Sequence, residues 1–299
     1  METVIQNNSE KKDWYNKWYK TLLLIPVIIL LFSLGYLGYF YSQHHDFIIK
    51  DTSLSGGTTI TLTTDIDAKT LESSLKQKFP DIGIRTLTDL RTGKAVSVIL
   101  ETSATPEEIK PELEKVLGHK LDDKNSSIEF TGPSLSQSFY KQLIIALIIS
   151  FILMSITVFI LFRTFIPSIA VIFAAFADIV MPLAIIDFFE IKLSAAGIAA
   201  FLMLIGYSVD TDILLTTRAL RTKEGKLNQR IFRAFKTGSF MTMTALFAVI
   251  PAFFIVSGLP DSFRQIFLIL GLGLFADLIN TWLTNASILK WYCDKRRIE

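Results

Sequence analysis

The sequence has one cysteine, Cys293, so no disulfide can form within the chain. Any part folded outside a membrane must hold together through its own core. The three histidines, His44, His45 and His119, do not have zinc-ligand spacing, and no metal-ligand cluster is read. No G-x-x-x-x-G-K phosphate loop occurs, so the sequence offers no means of hydrolysing ATP. No catalytic constellation and no cofactor motif are found, and an enzyme is not expected. The net charge is only +2, which gives a nucleic-acid role no global electrostatic support.

What the chain does have is apolar sequence in long runs. Of its 299 residues 51% are hydrophobic, more than an average soluble domain carries. A hydrocarbon core about 30 Å thick takes about 20 apolar residues in a helix. Six segments qualify, at about 20–42, 142–162, 167–189, 193–217, 239–259 and 264–290. The first is too long for a signal peptide, and no small-x-small cleavage site follows it before Gln43, so it reads as an uncleaved anchor.

Lysine and arginine set the expected orientation. Lys11, Lys12, Lys17 and Lys20 precede the first run, and Arg163 separates the second from the third. Arg218, Arg221, Lys223, Lys226, Arg230, Arg233 and Lys236 lie between the fourth and fifth, and Lys290, Lys295, Arg296 and Arg297 follow the sixth. The opposite short loops hold little beyond Lys192 and Arg264. Both ends are therefore expected in the cytoplasm of a multi-pass cell-membrane protein. The expected layout is a tail at 1–19, helix one at 20–42, an extracytoplasmic domain at 43–140, helices two to six within 141–290 and a tail at 291–299.

Residues 57–131 change in character. Gly57–Thr64 alternates and is rich in β-branched residues, which reads as a strand. A helix is expected at 67–78, with Leu71 and Leu75 inward, then strands at 82–87 and 95–101. Thr105-Pro-Glu-Glu108 carries a capping signal with proline in the first turn, opening a helix to about Leu117. A last strand is expected at 127–131. The order βαββαβ predicts a ferredoxin-like α+β domain between helices one and two. The fold class is thus a membrane bundle of six transmembrane helices bearing that domain.

The informative residues are acids at membrane depth. Asp178 is in the third apolar run, Asp210 and Asp212 are in the fourth, and Asp277 is in the sixth. Each ionised carboxylate facing lipid costs at least about 2.5–3.5 kcal/mol on insertion scales. They are expected to face a bundle interior or a partner, and to pair with a cation or take up a proton. Asp210 and Asp212 are about 200° apart around a helix and cannot share one groove. Asp210, on the face of Gly206, is expected to be the titrating group, opposed by Arg233 from the cytoplasmic side. Ile231, Phe232 and Phe235 form an apolar side suited to the membrane surface. Asp187, near the outer end of its helix, is expected to be solvated. Asn280 and Asn285 are read as helix–helix contacts, and Cys293 as incidental.

Several motifs carry a resemblance. Gly206-Tyr-Ser-Val-Asp-Thr-Asp-Ile-Leu-Leu215 is similar to the fourth-helix motif of the SecD/SecF family. Ser55-Gly56-Gly57-Thr58 resembles the Gly-Gly-Thr that opens the family's outer domain, and Thr131-Gly132-Pro133-Ser134 the Gly-Pro segment leading into its second helix. Asp178 falls where SecF proteins have an acid in helix three, and Arg233 where they have an arginine before a Thr/Ser/Gly stretch. The resemblance spans about residues 20–290 and is nearest the archaeal type of SecF. It implies one six-helix half of a resistance-nodulation-division architecture. The implied partners are a SecD half, a SecYE-type channel, a translocating polypeptide and membrane lipid. The implied function is promotion of protein export using a proton or sodium gradient. Two alternatives are a purely structural subunit of that machinery and a half-transporter of small molecules or lipids.

Overall fold

The computed structural model describes residues 2–63, 68–88, 95–222, 224–256 and 261–297. Lys223, one of the basic residues counted above, lies outside them. Among the described residues six helices are long and apolar enough to cross a membrane. The first apolar run lies within α1 (Glu2–His44), a helix that extends back through the amino-terminal segment. No glycine or proline interrupts residues 2–25, so nothing in the sequence stops the helix there. His45, in the left-handed region at φ 54°, terminates it.

The chain then forms the short helix α2 (Thr52–Ser55), strand β1 (Gly57–Leu62), helix α3 (Ala68–Leu75), strands β2 (Gly83–Thr88) and β3 (Ala95–Thr102), helix α4 (Pro106–Leu117) and strand β4 (Ser126–Thr131). The strands make one antiparallel sheet in the order β2-β3-β1-β4. Register is pinned by apolar alternation: Ile60 stands opposite Leu100 on one side and Ile128 on the other. Ile60, Leu62, Val98 and Leu100 pack beneath Leu71 and Leu75 of α3 and Ile109 and Leu113 of α4. That core answers the absence of disulfides.

Two glycines hold the root of this domain close to the bundle. Gly56 has φ 86°, and a Cβ there would meet the Pro133 Cα at 2.6 Å. Gly57 has φ 137°, and a Cβ there would collide with the Thr102 carbonyl oxygen. Both positions require glycine for conformation and for close approach. Gly132 caps the next helix, and Pro133 occupies its first turn, where a missing N–H costs nothing.

The remaining spans are α5 (Pro133–Phe162), α6 (Phe165–Phe188), α7 (Ala195–Arg221), α8 (Leu227–Ile255), α9 (Asp261–Ile279) and, after a π-helical segment at Asn280–Asn285, α10 (Ala286–Arg296). The interior is built mainly from α6, α7 and α9. The faces of α1, α5 and α8 expose aliphatic and phenylalanine side chains such as Ile28, Phe32, Ile149, Ile156 and Phe247. Alanines at 170, 174, 175, 177 and 184 of α6 are buried and admit close helix neighbours. The membrane-surface side expected of Ile231, Phe232 and Phe235 divides. Ile231 packs inward with Leu215, Trp282 and Leu289, while the two phenylalanines are exposed. Cys293 is not incidental to packing, since it is fully buried in that same cluster.

Candidate functional site: a buried carboxyl cluster

Four aspartates among the described residues are completely buried, and three of them gather in one cluster: Asp178 on α6, Asp212 on α7 and Asp277 on α9. Asp178 accepts hydrogen bonds from the Ser208 hydroxyl and from Asn280 Nδ2, the latter at 2.7 Å. Asp212 Oδ1 accepts from Asn285 Nδ2 at 2.7 Å and lies 2.9 Å from Thr281 Oγ1, while its Oδ2 has no partner. Asp277 Oδ1 lies 2.8 Å from Thr211 Oγ1 and 2.9 Å from Thr281 Oγ1. Its Oδ2 meets Thr242 Oγ1 of α8 at 3.4 Å. Among the described residues no lysine or arginine donates to any of the three.

The π-helical segment explains part of this convergence. An i→i+5 turn widens the helix and redirects successive side chains. Asn280, Thr281, Thr284 and Asn285 are all buried there, and three of them reach acids on neighbouring helices or one turn back. Thr281 has the central position. Its single hydroxyl proton faces two carboxyl oxygens, on Asp212 and Asp277, so it can donate to only one of them. The second contact becomes a hydrogen bond when that other carboxyl carries a proton and donates to Thr281.

The five acids and bases singled out from sequence therefore separate. Asp178, Asp212 and Asp277 come together. Asp210 and Arg233 do not join them: both are exposed, and no ion pair between them occurs among the described residues. The rotation argument for positions 210 and 212 holds, but the inward residue is Asp212. Gly206 lies on the exposed face with Asp210, and a Cβ there would meet nothing within 4 Å. Arg230, three residues from Arg233, turns the other way, being only 3% exposed and donating to the Thr222 carbonyl. Asp187 is not solvated. It is fully buried, and neither of its carboxyl oxygens has a hydrogen-bond partner among the described residues.

Sequence reasoning missed the threonine and asparagine donors. Asn280 and Asn285 do join helices, but they do so by donating to acids. A signal was present. Counting from Asp277, the polar positions 280, 281, 284 and 285 recur at one-turn spacing through an otherwise apolar helix.

The family model for "Protein export membrane protein SecD/SecF, C-terminal" matches residues 112–295, which include every span after the outer domain. The chain belongs to the SecD/SecF family. The protein-export membrane protein SecF of Methanolacinia petrolearia is 36% identical over 278 residues, covering 92% of this chain and 94% of that protein. The SecF of Methanocaldococcus jannaschii is 35% identical over 288 residues, covering 94% and 98%. Among solved structures, SecDF of Thermus thermophilus, described as a translocon-associated membrane protein, superposes with a TM-score of 0.70 at 15% identity. That likeness covers 93% of this chain but 38% of the SecDF chain, so the present chain spans about two fifths of that structure's length. Family membership and the six apolar helices make this a membrane protein of the export family.

Proposed function

We propose that the chain is the SecF half of a SecD–SecF pair that promotes protein export across the cytoplasmic membrane, driven by an ion gradient. The observation that carries this reading is the buried Thr281 hydroxyl set between Asp212 and Asp277, where no lysine or arginine among the described residues donates to either acid. When Asp277 holds a proton, it donates to Thr281 and Thr281 donates to Asp212. When Asp212 holds the proton, both hydrogen bonds reverse. One proton is conserved in each arrangement, so the hydroxyl can pass charge between α7 and α9. This geometry favours a proton over sodium as the coupling ion.

The α+β domain between α1 and α5 is, on this reading, a ferredoxin-like extracytoplasmic domain that holds or releases an emerging polypeptide. Orientation rests on the bases. Arg163, Arg218, Arg221, Lys226, Arg230 and the carboxy-terminal Lys295, Arg296 and Arg297 fall at one end of the bundle. There Arg221 bonds the Leu161 carbonyl, and Asn228 bonds Asn16 of α1 at 3.0 Å. That end faces the cytoplasm.

Pairing with a SecD half rests on the outward face of α7. Asp210 there has no hydrogen-bond or ion-pair partner among the described residues, and against lipid its charge would cost at least about 2.5–3.5 kcal/mol. A second six-helix half, a SecYE-type channel beyond it and surrounding lipid are the partners that would cover such a face.

The test reconstitutes the complex in vesicles and measures translocation with and without a proton gradient. Asp212→Asn and Asp277→Asn are each expected to lose the gradient-dependent stimulation while still assembling. Full stimulation in both variants would overturn the coupling. A purely structural subunit is the second reading, favoured by the two donors that satisfy Asp178. It predicts that replacing Asp178, Asp210 and Asp277 together leaves export intact.

A further inference from the structure

The root of the outer domain is bonded to the loop that joins α6 to α7. Leu193 N–H donates to the Ile49 carbonyl at 2.6 Å, and Asp51 N–H donates to the Leu193 carbonyl at 3.0 Å. These bonds form a short parallel bridge between Lys50 and Leu193. Two residues on, the Ala195 N–H donates to Ser53 Oγ at 3.0 Å. Ala195 is the first residue of α7, and the leading N–H groups of a helix have no acceptor within it. Ser194 Oγ takes the Gly197 N–H at 3.1 Å. Another leading donor is thus satisfied from the outer domain.

The Ser53 hydroxyl is held in register for this. It donates to Asp51 Oδ1 at 2.5 Å, and the Ser53 N–H donates to the same oxygen at 2.9 Å. With its proton committed to Asp51, the hydroxyl presents a lone pair to Ala195. On the opposite side stands Gln265 of α9, only 7% exposed. Its Nε2 donates to the Lys192 carbonyl at 2.6 Å, and its Oε1 accepts from Ser194 N–H at 2.7 Å and Ser194 Oγ at 2.6 Å. Beneath the polar bonds, Ile48 and Leu54 of the domain root pack with Ile198 and Ile269 of the bundle.

Two features make this more than an anchor. The chain connections of the outer domain run to α1 and α5, neither of which carries a cluster acid. The Ser53–Ser194–Gln265 knot reaches α7 and α9, which do. Asp212 lies 17 residues beyond Ala195, and Asp277 lies 12 beyond Gln265, so at 1.5 Å per residue the acids sit about 25 Å and about 18 Å down two straight rods. A shift of one rod against the other at Thr281 is delivered at the outer end to this knot.

We infer that Ser53 and Gln265 are positioning residues of a joint through which relative movement of α7 and α9 turns the outer domain. The inference rests on the ion-coupled reading above. It does not require either residue to touch an ion or the exported chain.

The test uses the full chain with its SecD-type partner in vesicles, in a Cys293→Ala background. Spin labels are placed at Glu107→Cys on α4 and Phe188→Cys at the end of α6, both exposed. The parent is expected to show a label-to-label distance that changes when a proton gradient is imposed. Ser53→Ala and Gln265→Leu are each expected to lose that change, with amide exchange protection of the β1–β3 core retained. Ser53→Thr, which keeps the hydroxyl, is expected to restore it. A Ser53→Ala or Gln265→Leu protein whose distance still follows the gradient as the parent's does overturns the joint alone. A parent that ignores the gradient overturns the ion-coupled reading and the joint with it.

Discussion

At the residue scale, the cluster depends on where single protons can go. Thr281→Val keeps the shape of the side chain and removes the hydroxyl between Asp212 and Asp277. The expected result is full assembly with loss of gradient-dependent translocation, measured in the vesicle assay. Leaving a buried carboxyl oxygen without its donor costs about 1–3 kcal/mol, so a modest fall in thermal stability should accompany it. Gly57 gives a second prediction. Its φ of 137° and the nearby Thr102 carbonyl leave no room for a Cβ. Gly57→Ala is expected to destabilise the outer domain by about 1–3 kcal/mol, read as faster amide exchange in β1 and β3. The need for glycine at 56 and 57 was legible from the Gly-Gly pair, and the reason for it emerged only when Pro133 and Thr102 were seen alongside.

At the scale of elements, the outer domain is a small sheet with two helices and a single apolar layer. Leu71 and Leu113 are both fully buried in it. Truncating either to alanine should cost about 2–5 kcal/mol, enough to unfold this domain in denaturant well before the bundle responds. Asp81 gives the sheet a pH dependence. Burial works against its charge, but hydrogen bonds from the Ser103 N–H and hydroxyl and the Thr102 hydroxyl outweigh it and hold the carboxyl below its ordinary 3.8. Its stabilising contribution is present above pH 3.8 and is lost as the pH falls through the lower, folded-state value. Amide protection at Ser103 and β3, taken relative to the intrinsic exchange rate at each pH, should therefore fall on acidification, and Asp81→Asn should flatten that dependence. The βαββαβ order was legible because alternation, caps and turn residues are local signals. The π-helical segment at Asn280–Asn285 was not, because its sequence satisfies an ordinary helix equally well.

At the scale of the whole molecule, the unpaired outward face of α7 predicts an assembly. Gly206→Cys, in the Cys293→Ala background, should react readily with a thiol reagent in the isolated chain and be protected in the complex with a SecD-type half. Phe247→Cys on the exposed face of α8 should react alike in both. Equal reactivity at Gly206→Cys in the two states would remove this face as the pairing surface.

The six spans, the basic end of the bundle, the acids at membrane depth and the apolar pattern of the outer domain are all legible in the order of residues alone. These are read from length, charge and period, which act over a few residues. Helix packing is what turns Asp212 rather than Asp210 inward, buries Asp187 and brings threonines and asparagines around the cluster. The reason is physical. Helical period says which residues share a face, but a helix apolar on every side gives no local signal of which face meets lipid and which meets its neighbours.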